Sequence, residues 1–180
     1  MIVGYAKTMG HVVRLKGGDP FIFGRGHEEM EYASKHGILS SYIPGISSAY
    51  SVPGLAGIPI TKRLVNESFM VVTGTLRNGE ISDDISISAK SKATVVILMG
   101  IGKLSQIVAK FKKERGGEEP IGLIQNGSLP NQRTLYGQLS NIEELQEKEQ
   151  IQTPAIIIIG KVISEKLDFS SISTMEHAIT

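Results

Sequence analysis

The segment Arg14-Leu15-Lys16-Gly17-Gly18-Asp19-Pro20-Phe21-Ile22-Phe23-Gly24-Arg25-Gly26-His27-Glu28-Glu29 carries the densest set of residues suited to holding a ligand. Paired glycines let a backbone come close to a bound molecule and offer bare N–H and C=O groups. Asp19 precedes a proline and is biased to an extended conformation, so its carboxylate can accept from hydroxyls or an amine. The same residues also suit a tight left-handed turn capped by Asp19, and composition leaves both uses open. A second loop, Ile43-Pro44-Gly45-Ile46-Ser47-Ser48-Ala49, offers two small hydroxyls and open backbone. Ser47 or Ser48 could equally cap a helix there. Met99-Gly100 and Gln125-Asn126-Gly127-Ser128 follow apolar runs in the same manner.

Other chemistries are disfavoured by residue type and spacing. Gly100-Ile101-Gly102-Lys103-Leu104 echoes a phosphate loop, but Ile97 stands where its first glycine belongs and Leu104 where Ser or Thr belongs. Gly24-Arg25-Gly26-His27-Glu28-Glu29 lacks the third glycine of a dinucleotide fingerprint. His11, His27, His36 and His177 share no metal-ligand spacing, so no metal site is expected. The absence of Cys excludes disulfides, thiolate metal sites and a cysteine nucleophile. With 19 Lys+Arg against 18 Asp+Glu the net charge is +1, which gives no bulk field for nucleic acid. Val95 to Met99 and Ala155 to Ile159, the longest apolar runs, are far too short to span a bilayer. The reading is a soluble protein of a reducing, cytoplasmic compartment, without nucleic-acid or membrane partners.

Positioning such loops requires strands that end beside them. Strands are predicted at Val12–Leu15, Ser41–Ile43, Phe69–Thr73, Thr94–Met99, Ile121–Gln125, Arg133–Gly137 and Ala155–Val162. Runs apolar at successive positions mark strands covered on both faces, as in α/β sheets. Helices are predicted at His27–His36, which Gly37 stops, and at Lys103–Arg115, where Leu104, Ile107, Val108 and Phe111 form one stripe before Gly116-Gly117. A third opens at Ser140-Asn141-Ile142-Glu143 with capping-box spacing and runs to about Glu149. Met1 to Ala6 reads as an apolar helix already under way.

Strands interleaved with helices give an α/β fold. Before residue 60 the chain is rich in Gly and Pro; after it a fresh set of strands and helices begins. The expected division is therefore 1–60 as the back part of a first α/β domain, 61–165 as a second α/β domain with a mixed sheet, and 166–180 as a polar tail.

In order, RLKGGDPFIFGRG, YIPGISSAY, AGIPITKR, VVTGT, VVILMG, GLIQNGS, NQRTLYG and PAIIIIGKV resemble the tetrapyrrole methylases over residues 1 to about 165. The resemblance implies two α/β domains cradling S-adenosylmethionine in a homodimer, and transfer of its methyl to C2 and C7 of uroporphyrinogen III. It implies cofactor contacts from Gly17, Gly18, Asp19, Ile22, Ser47, Ser48, Met99 and Gly127. The substrate it implies is rich in carboxylates, which makes Arg25, Lys62, Arg63 and Arg133 candidate anchors. The family's opening Gly-x-Gly-Pro-Gly-Asp loop and the stretch holding its proposed acid/base residues have no counterpart here, so no catalytic residue is assigned. His27, Lys62 and Thr75 depart from the family's usual Gly, His and His. Rival expectations are a non-catalytic remnant serving as a dimerisation partner, and a methylase acting on another corrin intermediate.

Overall fold

Thr94–Leu98 and Ala155–Ile159 are apolar at almost every position. In the computed structural model, which describes residues 1–169, both are inner strands of one sheet. Side chains alternate in direction along a strand, so a continuous apolar run needs a core on each face. Val95, Ile97, Ile121, Leu123, Ile157 and Ile159 fill one core, and Val96, Leu98, Ile124, Ile156 and Ile158 fill the other.

In chain order the helices are α1 (Ile2–Met9), α2 (Gly26–Lys35), α3 (Ser48–Leu55), α4 (Asp84–Lys90), α5 (Leu104–Arg115) and α6 (Ile142–Glu149). The strands are β1 (Phe69–Thr73), β2 (Thr94–Leu98), β3 (Pro120–Gln125), β4 (Arg133–Gln138) and β5 (Ala155–Ile159), in sheet order β1-β2-β5-β3-β4. The β1–β2 pair is parallel; β5 runs antiparallel to both β2 and β3, and β4 antiparallel to β3. It follows that β1, β2 and β3 point the same way and their C-terminal ends share one edge, where β4 and β5 begin. The α/β class and mixed sheet agree with expectation.

The chain divides into two compact units, Met1–Ser47 and the residues from Ser48 on. This falls earlier than the seam near residue 60, because α3 joins the second unit: Ala49 and Val52 pack with Ile58, Val96 and Ile158. The other core takes the α5 stripe Leu104, Ile107, Val108 and Phe111, with Ile85 of α4 and Ile142 of α6. Gly116, at φ 85°, ends α5 in the left-handed region that glycine enters without penalty. At the far end of this unit, the Leu167 N–H donates to the Gly57 carbonyl at 2.9 Å. Gly57 has φ 77°, and Leu167 fills the space a Cβ would need. Of the tail expected over 166–180, residues 170–180 lie outside the described residues.

The first unit holds α1 and α2. Two expected strands, Val12–Leu15 and Ser41–Ile43, are corrected here: both are irregular chain. A strand needs a partner for its N–H and C=O groups, and neither segment pairs with one among the described residues. Val13 and Leu15 stand 67% and 80% exposed. Salt bridges from Lys16 and Arg14 to Glu29, at 3.0 and 3.4 Å, tie the first segment to α2. Smaller corrections concern ends. Strand β5 stops at Ile159, where Gly160 turns at φ 149° and a 3-10 turn over Lys161–Glu165 follows. Met99 leaves β2, and α6 starts after Asn141 without a side-chain cap hydrogen bond.

Candidate functional site

In the first unit the Gly17–Gly24 loop is organised around Asp19. One carboxylate oxygen accepts the Phe21 N–H at 2.8 Å; the other accepts the Tyr42 hydroxyl at 2.6 Å and the Gly45 N–H at 2.9 Å. These donors favour the ionised form, so the Asp19 carboxyl lies below its ordinary value of 3.8, with the Tyr42 hydrogen bond the largest cause. Asp19 thus braces its own loop, but neither Gly17 nor Gly18 adopts a positive φ, so the tight left-handed turn expected of the pair is not formed. Gly45 has no room for a Cβ, which would lie 2.8 Å from the Gly18 carbonyl oxygen. The Gly17–Asp19 and Tyr42–Ser47 segments thus touch backbone to backbone. A Cβ at Gly17 would meet nothing, and one at Gly18 only the Ile46 carbonyl at 3.4 Å. Packing alone does not demand glycine there, and the backbone beside Asp19 is open. Ile22 is 44% exposed, Ser47 is buried, and Ser48 opens α3.

In the second unit, three loops leave the C-terminal ends of β1, β2 and β3 along one sheet edge. Gly74, after β1, packs against Gly100, after β2, with no space for a Cβ. The Thr75 hydroxyl donates to the Met99 carbonyl at 2.8 Å. Gly127, after β3, presses on Val52 of α3, again with no space for a Cβ. The structure therefore brings Met99 and Gly127 to one edge, and ligands of α/β sheets sit beyond such ends.

Backbone strain falls at the same places. Phe23, Arg25, Met99, Asn126 and Ser128 all adopt positive φ, between 51° and 71°. Non-glycine residues rarely do so, and such strain persists where the surroundings over-determine it, commonly at ligand sites. Met99 couples this backbone to 53% exposure of an apolar thioether. Leu64 and Gln150 share the conformation away from these loops, Gln150 as the cap of α6.

The four basic candidates separate. Arg25 pairs with Glu28 at 2.6 Å on an exposed surface of the first unit. Arg133, the first residue of β4, pairs in register with Gln125 and so stands at the Met99 edge, where it binds Glu149 at 3.1 Å. Lys62 and Arg63 lie elsewhere. Their loop is held by Asn66, whose side chain accepts the Lys62 N–H and donates to Thr94 at the opposite end of β2. Lys62 is itself ion-paired with Glu165. Sheet direction, which the local motif does not encode, separates these two from Met99 and Gly127.

Sequence reasoning missed Tyr42 and the Gly74-Thr75 support of Met99. Tyr42 acts across 23 residues of chain and has no local signal, whereas Gly74-Thr75 sits directly after a strand, which is a usable one. Among the described residues no group of His, Cys, Asp or Glu could hold a metal ion, and no helix is long and apolar enough to cross a membrane.

Residues 1–143 match the family model described as Tetrapyrrole (Corrin/Porphyrin) Methylases. A uroporphyrinogen-III C-methyltransferase of Methanocaldococcus jannaschii is 43% identical over 166 residues, covering 91% of this chain and 69% of that protein. A siroheme synthase of Psychrobacter arcticus is 43% identical over 165 residues, of which this chain spans 30% of the length. Among solved structures, a uroporphyrin-III C-methyl transferase from Thermus thermophilus complexed with S-adenyl homocysteine superposes with TM-score 0.78 at 32% identity, covering 91% of this chain and 71% of that one. A cobalt precorrin-4 methyltransferase, at 18% identity and TM-score 0.80, shares the fold.

Proposed function

The chain belongs to the tetrapyrrole (corrin/porphyrin) methylase family, and from that premise we propose that it binds S-adenosylmethionine and serves the C-methylation of uroporphyrinogen III at C2 and C7. The observation that carries the reading is the set of strained, open loops at Phe23–Arg25, Met99 and Asn126–Ser128, which coincide with the segments of closest resemblance. When bound, the cofactor supplies an electrophilic methyl on a sulfonium. Gly17, Gly18, Asp19, Ile22 and Ser47 of the first unit, and Ser48, Met99 and Gly127 of the second, are the proposed contacts. They fit such a ligand chemically. Asp19 is an ionised carboxylate suited to a hydroxyl or ammonium, the Gly17-Gly18 backbone is open, and Met99 offers an exposed apolar surface to a planar base.

Arg25 and Arg133 are the proposed anchors for substrate carboxylates, each exchanging its present Glu partner for one on the substrate. Such exposed pairs are weak, so the exchange costs little. Lys62 and Arg63 form a separate basic patch to which the same test applies. Holding the two reactants in attack geometry would be the protein's main contribution to rate. Exposed Val13, Leu15 and Ile43 support a homodimeric state, and the similarity to biosynthetic enzymes supports a cytoplasmic one.

The test is calorimetric titration of S-adenosylhomocysteine into the purified chain, followed by product mass after incubation with uroporphyrinogen III and S-adenosylmethionine. Saturable binding and gain of first one and then two methyl groups are expected. Replacing Gly18 by Arg, whose Cβ would meet only the Ile46 carbonyl at 3.4 Å, is expected to weaken binding by on the order of tenfold or more, with the melting temperature recorded to separate lost binding from lost folding. A chain that melts cooperatively and takes no S-adenosylhomocysteine overturns the reading in favour of a non-catalytic partner.

A further inference from the structure

We propose that Tyr42 is a positioning residue for the cofactor site, setting ligand affinity by fixing the orientation of the Asp19 carboxylate. The inference rests on the cofactor reading above and deepens it. An ionised carboxylate has about four lone-pair directions. At Asp19 the Phe21 N–H takes one on the first oxygen, the Tyr42 hydroxyl and the Gly45 N–H take both on the second, and the Ile22 N–H also faces the carboxylate. These donors decide how the carboxylate presents its remaining acceptor capacity to a ligand.

All but one of those donors are backbone groups of the loops themselves, and the Phe21 contact is a local one, two residues along the chain. Tyr42 is the side-chain donor. Its ring is also held by packing, stacked on Phe21 with centroids 4.1 Å apart and planes within 10°. Phe21 in turn meets His27 edge to face at 6.4 Å. The phenol is thus a rigid post, planted by aromatic packing, whose hydroxyl reaches Asp19 at 2.6 Å. Remove the oxygen and the stack remains, but the second carboxylate oxygen loses its side-chain donor. The carboxylate plane is then free to turn about its terminal torsion, which is intrinsically broad. A ligand hydroxyl or ammonium would have to order it again on binding.

A double-mutant cycle tests this, with S-adenosylhomocysteine as probe and the melting temperature recorded for each variant. Tyr42→Phe keeps the ring and removes the hydroxyl; Asp19→Asn keeps the shape and removes the charge. Tyr42→Phe is expected to melt like the parent and to bind about tenfold more weakly, the scale of one hydrogen bond to a charged group. Asp19→Asn weakens binding at least as much, and the double variant binds no worse than Asp19→Asn alone, because Tyr42 acts through Asp19. Should Tyr42→Phe melt earlier, the cycle is run at a temperature where all four proteins are folded. Parental affinity in Tyr42→Phe overturns the proposal while leaving the cofactor reading intact. Losses that multiply in the double variant also overturn it. A folded parent chain that takes no probe overturns the cofactor reading, and the role of Tyr42 with it.

Discussion

From Ser48 on, apolar side chains fill two cores, with Ile97, Phe111, Ile121 and Ile157 wholly buried, whereas before Ser48 residues such as Val13, Leu15 and Ile43 face solvent. The two units reach order by different physics. In the second, burial is the main term; it is non-directional and survives changes of pH and salt. In the first, Asp19 gathers backbone donors and the Tyr42 hydroxyl, and Glu29 receives Lys16 and Arg14, so directional bonds to ionised groups set the loop conformation. The Gly17–Gly24 loop owes its shape to a carboxylate rather than to a core.

The contrast is broken most severely at Phe111. Phe111→Ala should cost about 3–5 kcal/mol in urea unfolding, because a fully buried aromatic leaves a cavity. Leu15→Ala, at an exposed position of the first unit, should stay within about 0.5 kcal/mol in the same assay. Equal losses at both positions would erase the distinction. A smaller effect is expected at Arg115, whose nearly buried guanidinium donates to the carbonyls of Ser88, Ala89 and Ala93 and pairs with Glu119 at 3.1 Å. Arg115→Leu should cost about 2–3 kcal/mol by stranding these acceptors, and an unchanged urea midpoint would show that α4 is held by apolar contact alone.

The smallest effect lies in acid. Asp19 titrates below its ordinary value when folded, so its stabilisation is complete above pH 3.8 and is lost only as pH falls through the lower folded value. A carboxyl-carbon NMR titration should show Asp19 moving below pH 3.8, together with the amide shifts of Phe21 and Gly45. Titration at or above 3.8 would mean that the clamp is not formed in solution.

Legibility in the sequence follows the same division. Expected and observed bounds of β1 coincide, and β2 to β4 differ by a residue at one end, because buried runs between loops leave little freedom. Helix α4 was missed. Its Asp84-Ile85-Ser86-Ile87-Ser88 alternates polar and apolar like a strand, yet only Ile85, Ser88 and Ala89 are buried, at helical spacing. The opposite error befell Val12–Leu15 and Ser41–Ile43, where β-branched residues suggested strands that find no ladder. Gly17 to Asp19, Met99 and Gly127 were each readable as loop punctuation after strand candidates. The placing of Lys62 and Arg63 was not, since it depends on Asn66 reaching Thr94 across 28 residues.

The contact between Leu167 and Gly57 has a thermodynamic consequence. Chains usually fray from their ends inward, each terminus opening at its own low cost. Here the outgoing segment of the second unit lies against its incoming one, and a single backbone pairing serves both. Peeling Lys161–Leu167 away uncovers Gly57 and the support of Ile58; loosening the Gly57 turn releases Leu167. The two margins therefore open together, and native-state hydrogen exchange would register them as one cooperative step.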